Sequence, residues 1–170
     1  MVASAWKLFP TALRKLRTAA GLPVRFVGLT ALVWCLLWPA RIAVLVFPLR
    51  RMARLYGTDH GAEIVVPEAS EAELGSARNL GRAIALAARY SPASANCYPQ
   101  ALVARMLLRL KRVPHGLFFG LRREASSEAM EAHAWVMVGQ VPVSGGDSFD
   151  SYTVVRCFTS AGSAGKIERE

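Results

Sequence analysis

The chain has 170 residues, 53% hydrophobic and 19% charged, which fits one domain with its own core and excludes a disordered polyelectrolyte. Its three cysteines, Cys35, Cys97 and Cys157, are odd in number, widely spaced and without a CxxC pair. That argues against a disulfide framework and a zinc site, and suits a reducing compartment, so a cytoplasmic location is expected.

The net charge of +9 is concentrated in the first half, in Lys7, Arg14, Lys15, Arg17, Arg25, Arg41, Arg50, Arg51 and Arg54. A basic surface attracts nucleic acid, anionic lipid or an acidic peptide. Aromatics are not interleaved with these bases as in a base-stacking platform, so nucleic acid is not expected as a partner.

Residues 1–56 are predicted to be helical. A basic amphipathic segment, Ala5 to Ala19, ends at Gly21-Leu22-Pro23, and a hydrophobic helix follows. The uninterrupted apolar run, Phe26 to Ala40, is shorter than the ~20 residues of a bilayer span. Arg41 falls inside the stretch and Pro39 is expected to kink it. A signal peptide fits poorly, because the apolar region starts late and no small-residue cleavage site follows. The reading is a buried or surface-lying helix, with membrane contact or a partner protein at residues 26–48. Arg50, Arg51 and Arg54 are expected near its C-terminal end, where the helix dipole favours cations.

Residues 57–69 read as a breaker-rich linker. From Ser70 a capping-box spacing to Glu73 opens a helix, with Leu74, Ala77, Leu80, Ile84 and Ala87 recurring at helical intervals as far as Tyr90. Ser91-Pro92 stops it. A second helix runs from about Cys97 to Lys111. Strands follow: GLFFGL; AHAWVMV, in which His133, Trp135 and Met137 alternate with Ala134, Val136 and Val138; a hairpin turn at Gly139-Gln140; VPVS; and SYTVVRCF. Helices followed by antiparallel strands make an α+β domain over residues 70–158, with a disordered tail at 159–170.

Cys97 holds the chemically suggestive position. With Asn96 as N-cap and Pro99 tolerated in the first turn, the cysteine is the first helical residue. There the dipole and unpaired N–H groups favour thiolate and can hold an oxyanion. The same position also suits a small packing residue. Cys35, in the apolar helix, and Cys157, in the last strand, read as inert core thiols. A thiolate needs an imidazole to protonate the leaving amine. His60 falls in the linker and His115 in a loop, whereas His133 opens a strand after a polar loop; packing within a sheet is the plainer alternative for it. For the group that orients the imidazole, the hairpin register is expected to bring residues near 146 and 147 opposite His133. Asp147 is therefore chosen, with Asp150 next and Ser144 or a backbone carbonyl as substitutes.

NCYPQALVARMLLRL, the HGLFFGL strand and AHAWVMV together resemble the transglutaminase-like superfamily, and within it the leader peptidases of lasso-peptide biosynthesis. The shared features are a serine-containing lead-in, Cys97 with Ala101-Leu102, Gly120-Leu121, and Ala132-His133-Ala134-Trp135-Val136. The resemblance spans about residues 70 to 158, and the arginine-ended hydrophobic segment is also like the family's. It implies a papain-related fold and a Cys97–His133 peptidase that removes the leader of a precursor peptide, with Asp147 third. A separate ATP-dependent cyclase then closes the macrolactam. Residues 1–69 do not read as a β-rich winged leader-binding module, so the recognition protein is expected to be a separate partner. The chemistry requires no metal or cofactor. Acyl transfer to an amine, and a catalytically inactive membrane-associated adaptor, are the competing readings.

Overall fold

The computed structural model describes residues 23–91, 96–123, 129–146 and 150–160. The basic segment Ala5 to Ala19, Asp147 and the tail expected to be disordered lie outside the described residues, apart from the tail's first two residues, Thr159 and Ser160.

Four helices are described: α1 (Val24–Val46), α2 (Leu49–Ala53), α3 (Glu71–Arg89) and α4 (Cys97–Leu110). Five strands, β1 (Thr58–Asp59), β2 (Gly116–Arg123), β3 (Met130–Val138), β4 (Val141–Ser144) and β5 (Thr153–Thr159), form one antiparallel sheet in the order β1-β5-β2-β3-β4. The α+β architecture is as the sequence pattern indicates.

Local chemistry accounts for the elements. Ser70 and Glu73 form the capping box that starts α3: the Ser70 amide donates to Glu73 Oε2 at 2.8 Å and the Glu73 amide returns to Ser70 Oγ. The apolar stripe Ala77, Leu80, Ala83, Ile84 and Ala87 is buried. α4 buries Ala101, Val103, Ala104, Leu107 and Leu108. α3 lies over β4 and α4 over β3, and α1 packs across both helices through Val33 and Leu37. The sheet therefore has two unlike faces. Leu117, Ala134, Val136 and Val138 meet the helices, whereas Phe118, Trp135, Met137 and Cys157 form a second core on the opposite face with Val65 and Val66.

Two expectations for the N-terminal part change. The stretch 57–69 is not a passive linker: β1 pairs with the β5 edge, Thr58 opposite Thr159, and Val65 and Val66 are buried. Gly57 turns the chain into that edge at φ +97°, where a Cβ would lie 2.2 Å from the Thr159 carbonyl oxygen. The glycines taken as breakers serve strand addition. The hydrophobic helix continues through Pro39 and Arg41 over 23 residues, long and apolar enough by length and composition to cross a bilayer. Its arginine cluster lies on the separate α2, after Pro48 breaks the chain.

Candidate active site

One end of the sheet gathers the polar chemistry: the close of β2, the opening of β3, the exit from β4 and the start of β5. His133 lies there on the Trp135 face, opposite Gly120 in the β2–β3 ladder. Its ring stacks on Tyr152, with centroids 4.7 Å apart and planes 19° apart, and more loosely on Trp135 at 5.9 Å. Nε2 is 3.2 Å from the Gly145 carbonyl oxygen, which only accepts, so Nε2 donates there and Nδ1 is the nitrogen left for other partners.

The backbone carbonyl, one of the substitutes open at the sequence level, thus occupies the position expected for a carboxylate. The β3–β4 register shifts after Met137, bringing Ser144 opposite Val136, and the strand ends at Ser144. Gly145 and Gly146 follow as a bend, and Asp147, expected opposite His133, lies outside the described residues. Ser144 lies on the other face from the imidazole, buried, its hydroxyl without a partner among the described residues. Asp150 is exposed.

Two glycines make this arrangement feasible. A Cβ on Gly120 would meet the Trp135 ring at 2.8 Å and Tyr152 at 2.9 Å. Gly145, at φ +83°, passes so close that its Cβ would lie 2.5 Å from Trp135 Cβ and 3.0 Å from His133 Nε2.

Cys97 starts α4 as expected. Asn96 holds the N-cap position, but its side chain makes no capping bond, so the side chain leaves the first-turn amides uncapped. The helix start is anchored from behind. Tyr98 packs edge-on to Phe119, centroids 5.4 Å apart, and shares a 2.6 Å hydroxyl bond with Tyr56. Arg105 lies over the Tyr56 ring at 5.1 Å and donates to the Leu55 carbonyl. Phe119 pairs with Ala134, next to His133, so the start of α4 sits at the His133 end of the sheet.

Cys97 is half-buried. It rises from the helical layer, and His133 from the opposite sheet face. Tyr152 stacks on the imidazole, and Cys97 is the least of the causes that raise its phenol. The larger causes of that rise are burial and the hydrogen bond to Glu131. Nδ1 of His133 has no hydrogen-bond partner among the described residues, Cys97 included. Catalytic hydrogen bonds are often long before substrate binds.

Arg122, Glu131 and Tyr152 complete the rim. Arg122 and Glu131 face each other across the ladder in a 2.5 Å ion pair, and the Arg122 guanidinium lies 4.8 Å from the Tyr152 ring centroid. Hydrogen bonds from Arg122 and then Tyr152 hold the Glu131 carboxyl below the usual carboxylate range. Tyr152 is a residue that sequence reasoning missed; its only cue is an aromatic at the start of a strand. Its stack on the imidazole constrains the orientation of the ring. Tyr152→Ala is expected to lower kcat about tenfold with KM little changed and a broadened pH profile, while Tyr152→Phe, which keeps the stack, stays within about twofold.

His60 and His115 are held by hydrogen bonds elsewhere in the fold, and the two remaining cysteines differ in exposure. His60 Nε2 bonds Thr159 Oγ1 at 2.8 Å. Burial raises the Cys157 thiol to about 11, in keeping with an inert core group. Cys35, expected in the core, is exposed, because α1 turns that side outward. His115 is buried, with Nδ1 2.8 Å from the Val113 carbonyl oxygen, and burial depresses its pKa to about 4. An unfolded histidine titrates near 6.5, so between those values the unfolded chain binds the extra proton. Stability is therefore full above about pH 6.5, falls as pH drops through that window, and levels off below about 4, a loss on the order of 3 kcal/mol. Denaturant midpoints measured from pH 7 to 4 should show this limb, and His115→Asn should flatten it.

A family model described as the transglutaminase-like superfamily matches residues 41–157. No curated protein and no solved structure matches the chain. The matched span starts before β1 and ends within β5, so it takes in the edge strand as well as the elements bearing Cys97 and His133. The chain belongs to the transglutaminase-like superfamily, whose domains are generally cysteine peptidases or acyl transferases of papain-like type.

Proposed function

We propose that this domain is the leader peptidase of lasso-peptide maturation, in which Cys97 is the nucleophile and His133 the acid–base. The observation that carries the reading is the state of His133. Of the three histidines, it alone is stacked on Tyr152 with Nε2 on the Gly145 carbonyl, and its strand neighbour Ala134 pairs with Phe119, against which the start of α4 packs through Tyr98. The motif around Cys97 and the AHAWV strand supports the narrower assignment to leader removal.

Nδ1 takes the Cys97 proton, and the thiolate attacks the carbonyl carbon at the leader–core junction. The Cys97 amide, at the uncapped start of α4, stabilises the oxyanion. As the C–N bond breaks, the imidazolium gives its proton to the leaving amine and a leader thioester remains on sulfur. Water, deprotonated by His133, hydrolyses it and regenerates the thiol. Substrate binding closes the sulfur–imidazole gap. The Gly145 carbonyl holds the ring, and Asp147, outside the described residues, is the carboxylate expected to assist. Partners are the precursor peptide, a separate leader-recognition protein and the ATP-dependent cyclase that uses the freed amine, all in the cytoplasm.

The test is incubation of the full chain with a candidate precursor from the gene neighbourhood and its leader-binding protein, read by mass spectrometry. A single cut at the leader–core junction, with a trapped leader–enzyme thioester, is expected. An amide-linked product with an added amine would instead identify an acyl transferase. Intact precursor with the partner present would overturn the peptidase assignment.

A further inference from the structure

α1 is apolar on both sides. Its inner stripe, Val33 and Leu37, packs on α3 and α4. Its outer stripe, running through Val27, Trp34, Trp38, Ile42 and Leu45, is exposed, with Leu45 at 77%. A helix on the water-facing surface of a domain carries charged residues there. Along this stripe the one charge is the half-buried Arg41, at its border one turn from Trp38 and Leu45.

The charge of the chain is distributed to match. No acidic residue precedes Asp59, whereas nine lysines and arginines do. The remaining twelve basic and twelve acidic residues cancel, so the whole net charge of +9 belongs to the part of the chain that contains α1. Exposed cations stand at both ends of the helix. Arg50, Arg51 and Arg54 follow it. At its start Arg25, Arg82 and Lys111 line a cleft of about 450 Å³ between α1 and α3, with Arg82 5.5 Å over the Phe26 ring.

We propose that α1 docks the domain on an anionic lipid surface, lying flat with its outer stripe in the boundary between headgroups and acyl chains. The inner stripe is committed to α3 and α4, so in this fold the helix cannot also surround itself with lipid as a span would. An interfacial helix needs one apolar and one polar side, and here the packed domain takes the place of the polar side. Trp34 and Trp38, edge-to-face at 6.5 Å, are the amphipathic rings that favour headgroup depth, and the flanking arginines meet the negative surface potential. This inference is independent of the peptidase reading.

The test is co-sedimentation of the full chain with vesicles of phosphatidylcholine alone or with added phosphatidylglycerol. Wild type should pellet with the anionic vesicles, with a blue shift of its tryptophan emission, and bind pure phosphatidylcholine about tenfold or more weakly. The exposed-site variant Ile42→Glu/Leu45→Glu should lose at least about tenfold in binding with an unchanged circular dichroism spectrum, and Arg50→Glu/Arg51→Glu should make the residual binding insensitive to phosphatidylglycerol. Undiminished binding by Ile42→Glu/Leu45→Glu would overturn the proposal. So would a wild type that stays in the supernatant, whether monomeric or associated through this face with a second copy or a protein partner.

Discussion

Cys97→Ala is expected to reduce precursor cleavage by roughly four orders of magnitude or more, and His133→Ala added to it should remove almost nothing further. Nucleophile and base act in one step: without sulfur there is no thioester to form, and an imidazole with no thiol to deprotonate has no leaving amine to protonate. His133→Ala alone should be nearly as inactive, since no other imidazole can protonate the leaving amine. Cys35→Ala and Cys157→Ala serve as controls that should keep activity, the first on the exposed helix side and the second in the far core. Rates from mass spectrometry, with folding followed by circular dichroism, decide the matter. Full activity in Cys97→Ala would remove the nucleophile assignment, and full activity in His133→Ala that of the base.

The second large effect concerns a residue with no side chain. Gly145→Ala should lower kcat about a hundredfold, the cost of moving a reacting group by about an ångström. A methyl there would sit 3.0 Å from His133 Nε2 and 2.5 Å from Trp135 Cβ, so the imidazole and the carbonyl that holds it cannot both stay in place. Gly146→Ala is the matched control. It too has a positive φ, +62°, but nothing lies within 4 Å of its Cβ. Each substitution should cost about 1–2 kcal/mol of stability for left-handed backbone. Only Gly145→Ala should lose activity out of proportion to that cost. Equal losses in both variants would mean that the carbonyl contact does not orient the ring.

Much of the fold was legible because its local chemistry is unambiguous. The Ser70–Glu73 capping box, the stripe from Ala77 to Ala87 and the period-2 alternation around Trp135 each select one secondary structure. The hairpin at Gly139-Gln140 was legible for the same reason. What escaped depends on register and long-range pairing. The shift after Met137 changes which residue comes abreast of His133, and no propensity announces it. β1 is two residues long and becomes a strand only because β5 offers an edge. Cys97 and His133 were legible as candidates through their motif, but Gly145 and Tyr152 were not. Their importance lies in what they touch, and glycines after a strand read equally well as a turn.

The pairing of Thr58 with Thr159 joins the first strand to the last and has a consequence for synthesis. During translation α1 emerges first, and neither α3 nor α4 yet exists to cover Val33 and Leu37. The nascent chain therefore presents a helix whose inner and outer apolar stripes are both uncovered for as long as the next two helices take to appear. The edge of the sheet stays open longer still, since β1 must wait for β5, almost the last described segment to leave the ribosome. Chaperone demand should be set by that interval, and a chain truncated before β5 should leave both the Phe118 face and the β2 edge uncovered, making aggregation the first symptom of premature termination.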